Sequence, residues 1–418
     1  MERLFITFIL LLCSTPLLAA APAPLPGADV AGLLQYLEDN SAELNVARLE
    51  SSAAEHRSEA AGVLPDPSVR IEWQDINQPG GVTLNPSRVG AVKYSYLQPL
   101  PGWGKRDAQK QVAEAGAKQM QEQQRGVRAE LRSRMKLAFA QYYRAYNALQ
   151  LNQELSGFAS SAARLAQERY ERGLNKQQEW LKAQLDVAAL QSERFSLQAE
   201  YQRTQARINA LLNRQVNAPL SNPQQLPAVP MPAKLEDAYL QQRLQESSPQ
   251  LFSQNAQSSV AQANMELTQK NQTPDFIVAI SPIQRGDSIS NWDAMLEFTI
   301  PLQQGAHSAH RHEAAQQLSA SQAREQALAQ ALAADMSEHG AALRAASEQL
   351  QLIRTQTLPL TELTYKSVLS GYQNGNMDYA TLWQARRELQ RNRVDELDAQ
   401  LAQQIHLAEI ERLIGEEL

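Results

Sequence analysis

Tyr170-Glu171-Arg172-Gly173-Leu174-Asn175, with Trp180-Leu181-Lys182-Ala183 shortly after it, returns 202 residues later as Tyr372-Gln373-Asn374-Gly375-Asn376-Met377, with Leu382-Trp383-Gln384-Ala385 after that. The same spacing carries Pro99-Leu100 onto Pro301-Leu302 and Leu211-Leu212 onto Leu413-Ile414. One offset held across so much of each half marks a duplicated unit. Such a unit cannot bury its apolar surface alone, so its copies are expected side by side around an axis.

Working outward from the first glycine, there is no proline between Gly102 and Ala218. Leu131, Met135, Ala138, Tyr142, Ala145 and Leu149 step by fours and threes, which is a heptad seam. The seam continues through Asn152, Ser156, Ala159, Ala163, Ala166 and Tyr170 with mostly small side chains that allow close helix approach. The second half offers Leu343, Ala346, Leu350, Ile353, Thr357, Leu360, Thr364 and Ser367. Gly173 and Gly375 interrupt the two seams at matching places, after which apolar periodicity resumes, so each is read as the tip of a helical hairpin. Helix over residues 103 to 173 would extend about 105 Å. A bend is expected at Gly157 in one copy and at Pro359 in the other.

Ahead of each long helix lie two alternating segments. Val69, Ile71 and Trp73 alternate with Arg70, Glu72 and Gln74, and Val92, Tyr94 and Tyr96 alternate with Lys93 and Ser95. The second copy has Phe276, Val278 and Ile280, then Leu296, Phe298 and Ile300. These read as strands with one greasy and one wetter face, joined by loops over 77–88 and 282–293. Each copy opens with a helical stretch, 29–62 and 233–271, in which Leu37, Ser41 and Leu44 match Leu244, Ser248 and Leu251. The first repeat is therefore placed at 22–216, a surface linker at 217–232 and the second repeat at 233–418.

The chain of 418 residues is 43% hydrophobic and 6% aromatic, a balance suited to long helices with narrow seams. Its net charge of −6, with basic and acidic residues interspersed, gives no nucleic-acid footprint. Leu4 to Leu12 form a short apolar run, Pro16 breaks it and Ala19-Ala20-Ala21 offers a small-residue cleavage site, so residues 1–21 read as a secretory signal. Cys13 is open to a second reading as a lipidated first residue. If the signal is removed, no cysteine remains, which suits an oxidising periplasm or exterior. No other stretch approaches the ~20 apolar residues of a spanning helix, so any membrane crossing must use strands.

Four strands per chain allow two readings, a periplasmic β-subdomain capping a helical bundle or a membrane barrel. Four strands cannot close a barrel, and an open edge in hydrocarbon leaves backbone groups unpaired at several kcal/mol each. A barrel therefore requires oligomerisation, and three copies give an even count of twelve strands. The fold class expected is mainly α with a small β part: antiparallel helical hairpins forming an α-barrel, beneath a trimeric twelve-stranded transmembrane β-barrel.

In this order and duplication the residues resemble the TolC-type outer membrane efflux proteins over nearly the whole mature chain. Leu64-Pro65-Asp66-Pro67 leads into the first strand, and Tyr170-x-x-Gly173-Leu174 and Tyr372-x-x-Gly375 look like the family's hairpin tips. Gln98-Pro-Leu-Pro-Gly-Trp-Gly-Lys-Arg106 is similar to the motif leading into the long helix in the heavy-metal branch. The resemblance implies a homotrimeric duct with outer membrane lipid around its barrel. Its tunnel would reach toward an inner-membrane RND-type pump through a periplasmic membrane-fusion adaptor. Trp73, Trp103 and Trp292 become candidate interfacial anchors. In the family the tips constrict the periplasmic aperture: Glu179 matches an aspartate of that network and Tyr372 a tyrosine, whereas Met377 stands in place of an arginine. Thr381 and Gln384 replace inward aspartates, leaving Asp378 and Glu179 to supply an acidic ring of different geometry. Arg172, Gly173, Leu174, Gly375 and Asn376 are the expected adaptor-docking tips.

His307 and His310 share a helical face at i, i+3, a spacing open to Zn²⁺ or Cu²⁺, but His312 falls off it and no cysteine helps. His312-Glu313-Ala-Ala-Gln316 lacks the second histidine of a zinc protease. No cysteine nucleophile, phosphate loop or serine–histidine pair is identifiable, so neither an enzyme nor a cofactor is expected. The function expected is an outer membrane exit duct for heavy-metal cations. The alternatives are a multidrug or type I secretion duct of the same fold, or a periplasmic coiled-coil scaffold.

Overall fold

The computed structural model describes residues 25–418 except 79–80, 174–175 and 375. The expected signal, Cys13, Leu174 and Gly375 lie outside the described residues.

The order is α1 Val30–Asn40, α2 Ala42–Ala60, β1 Ser68–Gln74, a small hairpin of β2 Asn77–Gln78 and β3 Gly81–Val82, β4 Ala91–Leu100, α3 Lys105–Glu171 and α4 Gln177–Leu211. It then repeats without the small hairpin as α5 Asp237–Ser247, α6 Pro249–Lys270, β5 Phe276–Arg285, β6 Ser288–Phe298, α7 Gln304–Leu352, α8 Leu358–Gln373 and α9 Tyr379–Ile414. Ser41 explains why the first opening stretch is two helices: its hydroxyl accepts from the Leu44 amide and caps α2. In the second copy Pro249 starts α6 at the same break.

α3, 67 residues long, extends about 100 Å and is the spine against which α4, α6 and α9 pack. Leu131, Met135, Ala138, Tyr142, Ala145, Ala159, Ala163 and Ala166 are buried along it as the heptad predicts. Two equivalent cores cap the repeats. Leu33, Leu37, Phe139 and Ile208 build the first, and Leu240, Leu244, Leu343 and Ile410 the second. A third core, between the hairpins near their tips, uses Ala159, Ala163 and Ala183 against Tyr379 and Trp383. A partly buried ion pair, Lys136 to Glu411 at 2.6 Å, locks α3 of the first repeat to α9 of the second.

Four expectations are corrected. The helix runs through Gly157 without interruption; its i−4 bonding persists because α4 and α9 pack on both sides of it. In the second half the expected break appears as a π turn, Ile353–Thr357, just ahead of Pro359, which has no N–H to give the preceding turn. The extra residue of that turn rotates everything after it, so Leu360 is 64% exposed, while Tyr365, Val368, Leu369 and Tyr372 face the core in place of Thr364 and Ser367. The 282–293 segment is not a loop. β5 and β6 run through it to a turn at Gly286, whose φ of 65° is the left-handed conformation glycine adopts freely. Finally, β6 ends at Phe298, short of Ile300.

His339 of α7 and His406 of α9 meet half-buried, with Nδ1 atoms 3.2 Å apart. One Nδ1 donates and the other accepts, so the two Nδ1 atoms cannot both carry a proton. Burial and then the facing His339 push His406 below the usual 6.5, against the opposing pull of Glu338 and Glu409. A folded-state pKa below the unfolded one contributes stability that is present above about pH 6.5 and lost as pH falls through the folded value. Acidification from about pH 7.5 to 5 is therefore expected to lower the melting temperature more in the native chain than in His406→Gln. Equal losses in the two proteins would refute this role for the pair.

Candidate functional site: a greasy sheet and the joint beneath it

The sheet order is β1-β4-β5-β6, antiparallel throughout, so β1 and β6 are its free edges. Register partners point to the same face. One face carries Val69, Ile71, Trp73, Tyr96, Val278, Ile280, Trp292, Leu296 and Phe298. These are exposed, Ile280 at 53%, Leu296 at 64% and Val69 at 70%. The other face is more polar, carrying Arg70, Glu72 and Glu297 beside the buried Leu97 and Ile283: Ser95 and Ser281 are buried with hydroxyls 2.8 Å apart, and Lys93 pairs with Asp293 at 3.0 Å. Apolar residues outward with polar residues inward reverses a water-soluble sheet and matches a strand set facing lipid around a wet lumen.

Aromatic residues mark two levels of the greasy face. Trp73 and Trp292 lie toward the turn end, opposite Val92 and Pro282. At the helix end the Phe276 ring sits 6.5 Å from Phe298 and 5.4 Å from Trp103. The six steps from Phe276 to Pro282 span about 20 Å, close to the ~25 Å apolar band of membrane barrels.

Below the sheet, Gln98 to Arg106 turns strand into helix. Gly104 takes φ 75° as the helix cap, and a Cβ on Gly102 would lie 2.5 Å from the Pro274 carbonyl oxygen. The Gly102 amide and the Lys105 ammonium both donate to Asp275 Oδ1 at 2.8 Å, tying the first repeat's joint to the strand that opens the second. Burial alone would raise the Asp275 pKa; Lys105 and the Gly102 amide outweigh it and hold the carboxyl below its ordinary value. Arg106 donates twice to the Gly62 carbonyl, at 2.7 and 3.1 Å. Asp275 was not singled out from the sequence, where it reads only as a residue between Pro274 and a strand.

At the tips, Gly173 follows the end of α3 with φ 71°, donating to the Tyr170 carbonyl at 2.8 Å, and Arg172 beside it is exposed. Asn376 donates from its amide to the Gly371 carbonyl at 2.8 Å. Tyr372 is 7% exposed with the Arg169 guanidinium 5.0 Å above its ring. Burial raises its hydroxyl pKa, Arg169 opposes this and Glu179 reinforces it, so the structure brings Glu179, Tyr372 and Arg169 into one patch. Arg169 was missed because it belongs to the other hairpin. Met377 folds over Gly371 and stays 46% exposed. Asp378 caps α9 instead of joining that patch: its Oδ1 accepts from the Thr381 hydroxyl at 2.6 Å and amide at 2.8 Å, which lowers its pKa.

His310 leans 3.4 Å from Glu313 on the exposed start of α7, and no group of three metal-ligating side chains occurs among the described residues. By the 202-residue offset His307 stands where Lys105 stands in the first repeat, at the start of the long helix. No described helix is long and apolar enough to cross a membrane.

A sheet greasy on its exposed face and polar on the other, set above two helical hairpins, defines a membrane channel subunit. The chain belongs to the outer membrane efflux protein family, which matches residues 33–214 and 240–416. Its place is the outer membrane, with the helices extending into the periplasm. No curated protein sequence matches the chain. Among solved structures it is similar in fold to CusC, with a TM-score of 0.79, 17% identity and 95% of each chain covered. It is also similar to VceC from Vibrio cholerae, with a TM-score of 0.76, 13% identity and 93% and 96% coverage. For the open state of the Neisseria gonorrhoeae MtrE channel the values are 0.74, 14%, and 93% and 89%.

Proposed function

We propose that three copies close a twelve-stranded barrel and a helical tunnel, forming the exit duct of a tripartite efflux system that passes heavy-metal cations from a periplasmic adaptor and inner-membrane RND-type pump to the exterior. The observation that carries the duct is the exposed apolar face of a four-stranded sheet with both edges unpaired, since four strands close nothing and lipid tolerates no open edge. The metal cargo draws its support from the Gln98–Arg106 motif alone.

In this reading Glu179, Tyr372, Met377 and Asp378 border the periplasmic aperture. Arg172, Gly173, Leu174, Gly375 and Asn376 take the adaptor. Tyr372→Phe is expected to keep the fold, because the hydroxyl has no hydrogen-bond partner among the described residues, whereas Arg169→Ala removes the cation above the ring. Stacking of that kind contributes about 0.5–2 kcal/mol. Single-channel conductance in planar bilayers is expected to rise in Arg169→Ala and stay unchanged in Tyr372→Phe; no rise in the first would remove Arg169 from the aperture. For cargo, cells lacking the chain are expected to lose tolerance of zinc, cobalt, cadmium, copper or silver. Sensitisation to drugs alone would overturn the metal assignment and leave the duct intact.

A further inference from the structure

We propose that β6 of one subunit pairs antiparallel with β1 of the next in a fixed register: Phe298 opposite Trp73 of the partner subunit, Ile300 opposite Ile71 of the partner subunit, and Leu302 opposite Val69 of the partner subunit. The proposal rests on the trimeric reading above and adds how the seam is built.

The chain contains one example of how a repeat joins the next. There β4, the last strand of the first repeat, meets β5, the first strand of the second, with Tyr96 opposite Ile280 and Leu100 opposite Phe276. Two offsets relate the repeats. Positions from β4 onward shift by 202, as Pro99 to Pro301 does, and positions up to β1 shift by 207, as Leu37 to Leu244 and Ser41 to Ser248 do. The register tests these offsets together: with 202 fixed by Pro99 and Pro301, the strand pairing returns 207 for β1 to β5. Val69 and Tyr96 are partners; moved by 207 and 202 they become Phe276 and Phe298, which are also partners. The paired strands therefore contain no insertion, and the β4–β5 junction can be carried forward one step. Tyr96 moves up to Phe298, Ile280 moves back to Trp73, and the seam register follows.

A second observation points to the same partner. β4 continues through Gln98, Pro99 and Leu100, past Ser68 where β1 begins, so only β5 holds those last three residues in a strand. Their counterparts are Ile300, Pro301 and Leu302, and here β6 stops at Phe298, opposite the first residue of β5. What this end lacks is the opening strand of a following repeat, which a second copy supplies. Ile300 and Leu302, left 59% and 79% exposed, fall by alternation on the same face as Leu296 and Phe298 and complete its greasy band at the seam.

Directly opposed residues of antiparallel strands have Cα atoms about 4.5–5.5 Å apart, within disulfide reach, whereas a residue displaced by two is about 7–8 Å away. The full chain carrying Cys13→Ser and paired cysteines is oxidised in outer membrane vesicles and run on a non-reducing gel. Ile300→Cys with Ile71→Cys, and Thr299→Cys with Glu72→Cys on the lumen side, are expected to give covalent dimers and trimers several-fold more abundant than Ile300→Cys with Trp73→Cys. Stronger cross-linking of the displaced pair overturns the register. So does absence of cross-linking in both opposed pairs while the unheated samples still migrate as trimers. If the cysteine-free parent itself runs as a monomer without heating, the trimeric duct fails, an outcome distinct from either.

Discussion

Leu296→Arg is expected to abolish assembly in the outer membrane while leaving the helices folded. Leu296 lies on the greasy face between the Trp292 and Phe298 levels, opposite Val278 and 64% exposed, so in water the substitution would cost little, because little packs on the side chain. In lipid the same exposure makes it costly, about 2–4 kcal/mol for arginine near the bilayer midplane, incurred in all three copies of a trimer. Heat-modifiable trimer in outer membrane fractions should fall below a tenth of the native amount. Met295→Arg is the control, since Met295 pairs with Ala279 on the opposite face. Its arginine would enter a wet lumen and should assemble. Equal assembly of the two variants would mean that the greasy face does not meet lipid.

The second large effect is expected at Gly102. A Cβ there meets a backbone carbonyl, that of Pro274, and backbone yields less readily than a flexible side chain. Gly102→Val must also displace the Gly102 amide from Asp275, loosening the Lys105 ion pair made to the same oxygen. Overpacking of this kind costs about 1–3 kcal/mol, and a buried charge left without its partner adds to it. Melting of the solubilised protein should drop by several degrees, with far less duct recovered. Asp275→Asn keeps the shape and loses the charge, so a smaller drop is expected. A Gly102→Val protein as stable as the native one would show that the joint is not closely packed.

Much of this architecture is legible in the sequence because it obeys two periods. The heptad from Leu131 to Ala166 has no competing explanation, and most of its residues are the buried face of α3, with Ala148 and Leu155 buried in place of Leu149 and Ser156. Legibility fails where the period slips or where polarity is inverted. One extra residue in the π turn at Ile353–Thr357 moves the apolar stripe off the positions a strict heptad marks. The 282–293 segment reads as a loop because Gln284, Ser290 and Asn291 are polar and Pro282 and Gly286 break strands in ordinary sheets. They lie at and beyond the Trp73 and Trp292 level, at the turn end of β5 and β6 past the apolar band, where polar strand residues are tolerated. The Tyr372, Glu179 and Arg169 patch unites two hairpins some two hundred residues apart, and no local pattern reports that contact. Asp275 is silent for the same reason, its partners Gly102 and Lys105 lying on another element.

The most direct test of a barrel assembled from separate chains is the mass of the purified protein measured by native mass spectrometry out of detergent micelles. Three copies, lost together when detergent is withdrawn, are the predicted result. A single copy that stays in solution without detergent would contradict it.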